Sequence, residues 1–401
     1  MIQLKDICDI YDCPHTTAKD EGKGYPLVRT PNVGKGRLLL NGIHRVSEEV
    51  YNSRNSRAIP EEGDLILARE APVGNVSIIM QGQRVCLGQR VVLIKPKREL
   101  VDPHYLTYYL LSAEVQNRLK NHANGAVVAH LNVTDIRNLL VSLPELDEQI
   151  AIGKILRSIE DKIELNNRIN HNLEAQAQAL YKSWFVDFEP FRDGKFVESE
   201  LGMIPEGWDA KPLSSICHIE KKTINPQKHP TCLFTHYSIP AYDNSELPEL
   251  QKGSDILSNK YIISDYTILF SKLNPRIKRI WNVYKSESNP ICSTEFVVYK
   301  PMDIDTYPFL YSFITGDDFY NNIMSKVNGA TGSHQRFHPE ETLDILVPYH
   351  IDCYRLYSQL VLPIIQQIDE NKRENHYFAS LRDSLLPKLM SGELEINDLT
   401  C

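Results

Sequence analysis

No apolar run in the 401-residue sequence reaches the roughly 18–20 residues needed to cross a bilayer; the longest candidates, such as Leu360 to Ile365, are short and interrupted. The opening Met1-Ile2-Gln3-Leu4-Lys5-Asp6 lacks the basic-then-apolar pattern of a secretory signal, so a cytoplasmic protein is expected. Cysteine is present but unorganised. Cys8, Cys13, Cys86, Cys217, Cys232, Cys292, Cys353 and Cys401 form no Cys-x-x-Cys pair and no Cys/His cluster at zinc-finger spacing, which argues against a structural zinc site. In a reducing compartment they read as small buried hydrophobes or idle surface thiols.

Catalytic signatures are missing too. A base methyltransferase needs an Asn/Asp-Pro-Pro-aromatic loop; Asp102-Pro103-His104-Tyr105 has His104 where the second proline belongs and reads as a helix start, and Asn274-Pro275-Arg276 fails in the same way. There is no G-x-x-x-x-G-K-[ST] cradle for nucleotide phosphates, no Asp…Glu-x-Lys nuclease set, no H-E-x-x-H and no G-x-S-x-G elbow. The expectation is a chain with no catalytic residue, no metal and no cofactor of its own. An overall basic charge is also lacking. The net charge is −8, against the usual footprint of a nucleic-acid binder. The charge is divided, however: basic residues gather at Lys19–Arg45, Arg69–Arg98 and Lys272–Lys285, acidic ones at Glu145–Glu174, Asp187–Glu206 and Glu393–Asp398, and local potential decides where phosphates settle.

What is present is a chain written twice. With 42% hydrophobic and 24% charged residues it is ordinary globular material, long enough for two or three domains. Asn124-Gly125-Ala126, His130 and Pro144 recur as Asn328-Gly329-Ala330, His334 and Pro348, each displaced by 204 residues. Upstream, Cys86…Val91-Val92…Lys95-Pro96 is echoed by Cys292…Val297-Val298…Lys300-Pro301, with a one-residue gap. Downstream, Ile159, Ile163, Asn166, Asn170, Leu173 and Leu180 match Ile364, Ile368, Asn371, Asn375, Phe378 and Leu385 at 205. Such a period is too long for a solenoid and means two copies of one module, a globular domain followed by a helix. His130 and His334 read as loop anchors. Within each domain, Pro26–Arg29, Asp64–Ala68 and Val91–Ile94, then Tyr266–Phe270 and Glu295–Tyr299, read as strands. Tyr105 to Asn121 and Phe309 to Ser325 read as helices.

From about Glu148 to Ser183 there is no proline and one glycine, Gly153. Ile152, Leu156, Ile159, Ile163, Leu173, Ala177, Leu180 and Trp184, with Asn166 and Asn170 at two steps, keep the 4-3 spacing of a heptad seam. The second copy offers Tyr357, Val361, Ile364, Ile368, Asn371, Asn375, Phe378, Arg382 and Leu385. Pro363 should start or kink that helix. Two apolar seams in one chain pack most simply on each other, antiparallel. The four asparagines have two readings, a buried register-fixing set or a solvent-facing one.

These features together resemble the specificity subunits of type I restriction-modification systems. The resemblance rests on Leu143-Pro144-x-x-x-Glu148-Gln149 at the helix entry and Ala179-Leu180-Tyr181-Lys182-Ser183-Trp184-Phe185-Val186-Asp187-Phe188-Glu189-Pro190 at its exit. Ile204-Pro205-Glu206-Gly207-Trp208 and Leu381-Arg382-Asp383-Ser384-Leu385-Leu386-Pro387-Lys388-Leu389-Met390-Ser391-Gly392 add to it. The second copy lacks a Glu-Gln pair after Pro348, which leaves the helix start near Cys353 open. The implied fold is α+β: two mixed α/β target-recognition domains in tandem, each followed by a long helix, the helices pairing as an antiparallel coiled coil with pseudo-twofold symmetry. The implied layout is a first recognition domain at 1–144, a central helix at 145–187, a linker at 188–207, a second recognition domain at 208–348, and a distal helix with its tail at 349–401. The implied function is non-catalytic reading of a bipartite asymmetric DNA target in host defence. The implied partners are double-stranded DNA, two modification (methyltransferase) subunits and two restriction subunits, with S-adenosylmethionine, ATP and Mg²⁺ in those subunits. Candidate DNA contacts are Arg29, Lys35, Arg37, Arg69 and Arg90 in the first domain, and Lys272, Arg276, Lys278, Arg279, Gln335 and Arg336 in the second. Lys272-x-x-x-Arg276-x-Lys278-Arg279 is expected to form a compact cationic patch. The rival readings are a self-contained restriction-methylation enzyme, which needs the missing loops, and a coiled-coil adaptor without DNA recognition, which leaves the diverging globular copies unexplained.

Overall fold

The computed structural model describes residues 1–122, 130–326 and 337–394. The chain forms two compact units, one of Met1–Ile163 with Tyr377–Cys401, the other of Glu164–His376.

In the first unit a five-stranded sheet runs in the spatial order Cys8–Asp12, Val91–Pro96, Leu65–Ala68, Val76–Ile78, Gly36–Arg37. A smaller sheet orders Arg45–Val46, Tyr25–Val28 and Cys86–Leu87, with the last two parallel. The strand residues alternate faces. Leu65, Leu67, Val92 and Ile94 join the core under the helices Pro103–Leu111 and Ala113–His122. Ile66, Ala68, Val91 and Leu93 pack with Val28 and Leu87 of the smaller sheet. Burial on both faces explains why these strands are continuous aliphatic runs. Asp102 is the helix start expected of it: its carboxylate accepts the Tyr105 N–H at 2.8 Å, with Pro103 in the first turn.

The second unit repeats the plan. Cys217–Ile219, Phe296–Pro301, Thr267–Ser271 and Ile280–Val283 form one sheet. Thr223–Ile224, Lys260–Ile262, Pro290–Ser293, Leu233–Tyr237 and Glu249–Lys252 form the other, in which Leu233–Tyr237 and Pro290–Ser293 are again parallel. Cys8 pairs with Pro96 and Cys217 with Pro301. That register matches Val91–Pro96 to Phe296–Pro301 residue by residue, so the sequence gap lies before the strand and Val92, not Val91, corresponds to Val297. Both expected helices break. The chain is extended at Ser112 (φ −61°, ψ 147°) and at Gly316 (φ −72°, ψ 164°), which splits each into a buried helix and an amphipathic one. The cysteines Cys8, Cys13, Cys86, Cys217, Cys292 and Cys353 are buried thiols. Burial pushes Cys8 up to about 12 and Cys86 up to about 11, far from thiolate chemistry.

The central helix spans Leu146–Phe185 and the distal helix Ile351–Ser391. They pack on each other. In the first unit Ile152 and Leu156 share a core with Leu389, Leu385 and Leu386, and Glu160 takes the Arg382 guanidinium at 2.5 Å. In the second, Asn166 donates to Glu374 (2.7 Å) and Asn375 (2.9 Å), Asn371 donates to Asn170 (2.7 Å), and the Tyr357 hydroxyl donates to the Ala177 carbonyl (3.3 Å). Residue numbers rise along one helix as they fall along the other, so the pair is antiparallel. Of the seam positions, Ile152, Leu156, Ile159, Val361 and Ile368 are buried; Ile163, Leu173, Leu180, Ile364, Phe378 and Leu385 are half-buried. Ile365, one step from the expected Ile364, is the fully buried residue. The distal helix does not begin at Pro363. It runs through it, because Pro363 and Gln359, whose carbonyl loses its partner, both face solvent. The missing Glu-Gln is also resolved: the amide of buried Gln149 donates to the Pro144 carbonyl (2.9 Å), and in the second copy the Tyr354 hydroxyl does so to Pro348 (2.8 Å).

Candidate nucleic-acid interface

The richest polar constellation of the first unit stands where the strands Leu65–Ala68 and Val91–Pro96 end. Arg69 continues one strand and Arg90 precedes the other, joined by a backbone bond from Arg69 N–H to the Arg90 carbonyl (2.9 Å). Arg69 is buried. Its Nη1 donates to Asp12 (2.9 Å), its Nε to the Leu131 carbonyl (2.8 Å), and its Nη2 to Nε2 of His130 (2.7 Å). A guanidinium can only donate, so His130 Nε2 accepts and its Nδ1–H points to Glu70 Oε1, 2.7 Å away. The other Glu70 oxygen takes Nη1 of Arg90 at 2.8 Å. Arg90 has a left-handed backbone (φ 61°), and its side chain is 63% exposed. Arg69, Glu70, Arg90 and His130, with His15 and Gln89, line a hollow of about 240 Å³. His130 is thus an anchor, as the sequence suggested. Glu70 was not foreseen; its only sequence signal is its place directly after Arg69.

The remaining first-domain candidates scatter. Arg29 is half-buried, its Nε enclosed without a partner. Lys35 is exposed beside a larger cavity of about 710 Å³ that Tyr108, Glu160 and Arg382 also line. Arg37 is ion-paired to Asp161 of the central helix.

In the second unit the expected four-cation patch is taken apart. Arg279 is buried in a two-pronged pair with Asp243 (2.6 and 2.9 Å). Lys278 donates to the Thr315 carbonyl (2.6 Å) and lies over the Tyr320 ring. Arg276 is exposed, and Lys272 is half-buried at the end of Thr267–Ser271. Gln335 and Arg336 lie outside the described residues, as does His334. Lys272 N–H bonds the Glu295 carbonyl (2.9 Å), the same bond that Arg69 makes to Arg90. The register therefore equates Arg69 with Lys272 and Arg90 with Glu295. One frame carries opposite charges at the corresponding rim position. Among the described residues no group of His, Cys, Asp and Glu could hold a metal ion, and no helix is long and apolar enough to cross a membrane.

Residues 1–175 match a family model described as the type I restriction modification DNA specificity domain. The Type I restriction enzyme MjaIX specificity subunit of Methanocaldococcus jannaschii is 27% identical over 417 residues, 99% of this chain and 94% of that one. The first part of the chain thus resembles that domain, and nearly its whole length is similar to a type I specificity subunit. A second specificity subunit, of the HindI enzyme of Haemophilus influenzae, is 22% identical over 401 residues, covering 83% of this chain and 87% of its own. The crystal structure of a type I restriction-modification S subunit from M. genitalium covers 97% of this chain and 95% of that one, with a TM-score of 0.57 at 16% identity, a likeness of fold. For a specificity subunit the two mixed α/β units and the packed long helices are the expected architecture. Nothing in these likenesses favours the adaptor alternative.

Proposed function

We propose that this chain is a type I specificity subunit and reads a two-part, asymmetric DNA target, each recognition domain meeting its own half-site in a major groove, where donor and acceptor patterns separate all four base pairs. The observation that carries this reading is the repeated frame with unlike chemistry at matched rim positions: Arg69 against Lys272, and Arg90 against Glu295. A duplicated scaffold that kept one target would keep those residues. The subunit itself performs no catalysis. It positions two modification subunits, which use S-adenosylmethionine to methylate adenine flipped from the duplex, and two restriction subunits, which bring ATP and Mg²⁺. The partners' cationic surface offsets the net charge of −8, and the assembly works in the cytoplasm. Half-sites centred about one helical turn apart, roughly 34–36 Å, suit such a pair of readers. The test is binding to randomised duplexes by the chain assembled with its methyltransferase partner. Salt-dependent selection of two unlike sequence blocks with a constant gap is expected; salt-independent binding, or none, would refute the reading.

A further inference from the structure

Glu70 stands beside Arg90 at a point where a phosphate contact would need uncompensated positive charge. The hollow is lined instead by two guanidiniums, Arg69 and Arg90, and one carboxylate, Glu70, and Arg69 is further paired with Asp12. A phosphate beside Arg90 would lie close to the Glu70 carboxylate, whose charge already offsets that of Arg90. A base edge, which mixes donors and acceptors and carries no net charge, fits such a rim.

Arg90 is also held for the task. Its backbone occupies the left-handed region, which costs a non-glycine residue energy and persists where surrounding structure enforces it. The enforcement is visible: the Arg90 carbonyl is bonded to Arg69 N–H, and Nη1 is bonded to Glu70, which is itself fixed by His130 and through it by buried Arg69. Nη1 is tied to the protein while the side chain remains 63% exposed, so the planar fork is held in place yet open to solvent. Resting on the reading of the chain as a DNA-recognition subunit, we propose that Arg90 reads a guanine of the first half-site through its O6 and N7, with Glu70 and His130 as positioning residues. The second domain holds Glu295 at the matched place, so it cannot read its half-site in the same way.

The full chain, assembled with its methyltransferase partner, is offered duplexes randomised over both half-sites, and the selected sequences are counted at two salt concentrations. The wild-type complex fixes a guanine at one position of the first half-site. Arg90→Ala lowers the preference for that guanine by about 5- to 150-fold, since a bidentate pair discriminates by about 1–3 kcal/mol, and leaves the second block unchanged. Arg90→Lys, which keeps the charge, loses the preference but retains nonspecific affinity, and so keeps the test open if the alanine variant folds poorly. Glu70→Gln frees the fork and gives a smaller loss at that same position only. Arg90 variants with every base preference intact overturn the assignment. So does uniform weakening across all sequences with a salt slope shallower by about one, the mark of a phosphate contact. A wild-type complex that selects no sequence at all sinks the recognition reading itself, before any role of Arg90 is reached.

Discussion

Gly153 lies inside the central helix, where alanine should be better by about 1 kcal/mol. A Cβ there would stand 2.5 Å from Asp102 Oδ1 and 2.9 Å from Tyr105 N, the two atoms of the cap that starts the neighbouring helix. The glycine exists for this close approach. Gly153→Ala is therefore expected to destabilise the first unit by about 1–3 kcal/mol, the usual cost of overpacking, as a lower urea midpoint; a raised midpoint would show that propensity decides. In the second unit His236 is buried, its Nε2 without a hydrogen-bond partner. Burial holds its pKa below the usual 6.5, with nearby Lys260 adding to the depression while the Gln251 bond and Glu249 oppose it. The folded state then resists a proton that the unfolded chain accepts. Its contribution is complete above pH 6.5 and declines as the pH falls from there towards the folded value. Denaturation midpoints at pH 7.5 and 5.5 should differ less in His236→Gln than in the wild type; an equal difference would contradict this. Residues were the least legible scale in the sequence. Lys278 and Arg279 looked like a surface patch because Asp243 and the Thr315 carbonyl, their partners, lie 36 and 37 residues away. Arg37 found Asp161 at a separation of 124.

At the scale of elements, the asparagines settle a question the seam left open. Asn166, Asn170 and Asn371 are buried and bonded across the helix pair, so they belong to its interior. Asn170→Leu alone strands the Asn371 amide and should cost about 1–3 kcal/mol. Adding Asn371→Leu should recover much of it, because two apolar groups leave nothing unpaired. Denaturation of the four proteins of this cycle checks the coupling; additive losses would place the asparagines outside any shared network. The helices themselves were legible from periodicity, and their pairing from having two seams. Other features were not. Ile365 took the place given to Ile364 because a helix with 3.6 residues per turn drifts off a strict seven-residue repeat. Ser112 and Gly316 end helices that the apolar pattern carries straight through. The shared job of Gln149 and Tyr354 is invisible to residue type, since an amide and a phenol reach the same carbonyl.

For the whole molecule, the repeat near 205 residues was the most legible feature, and the two units share the order of their central strands and one parallel pairing, at Cys86 in the first and Cys292 in the second. Residues that would define function were the least legible, because on the proposed reading divergence between the copies is what lets two domains read different sequences. On the proposed reading, the long helices set the separation of the two readers. Four residues added to each helix, opposite one another, lengthen the strut by about 6 Å at 1.5 Å per residue. That corresponds to about 2 base pairs at 3.4 Å each. Methylated adenines mapped across the genome of cells carrying this variant should show the same two sequence blocks with the gap between them longer by about 2 base pairs. The same blocks at an unchanged gap would contradict the claim.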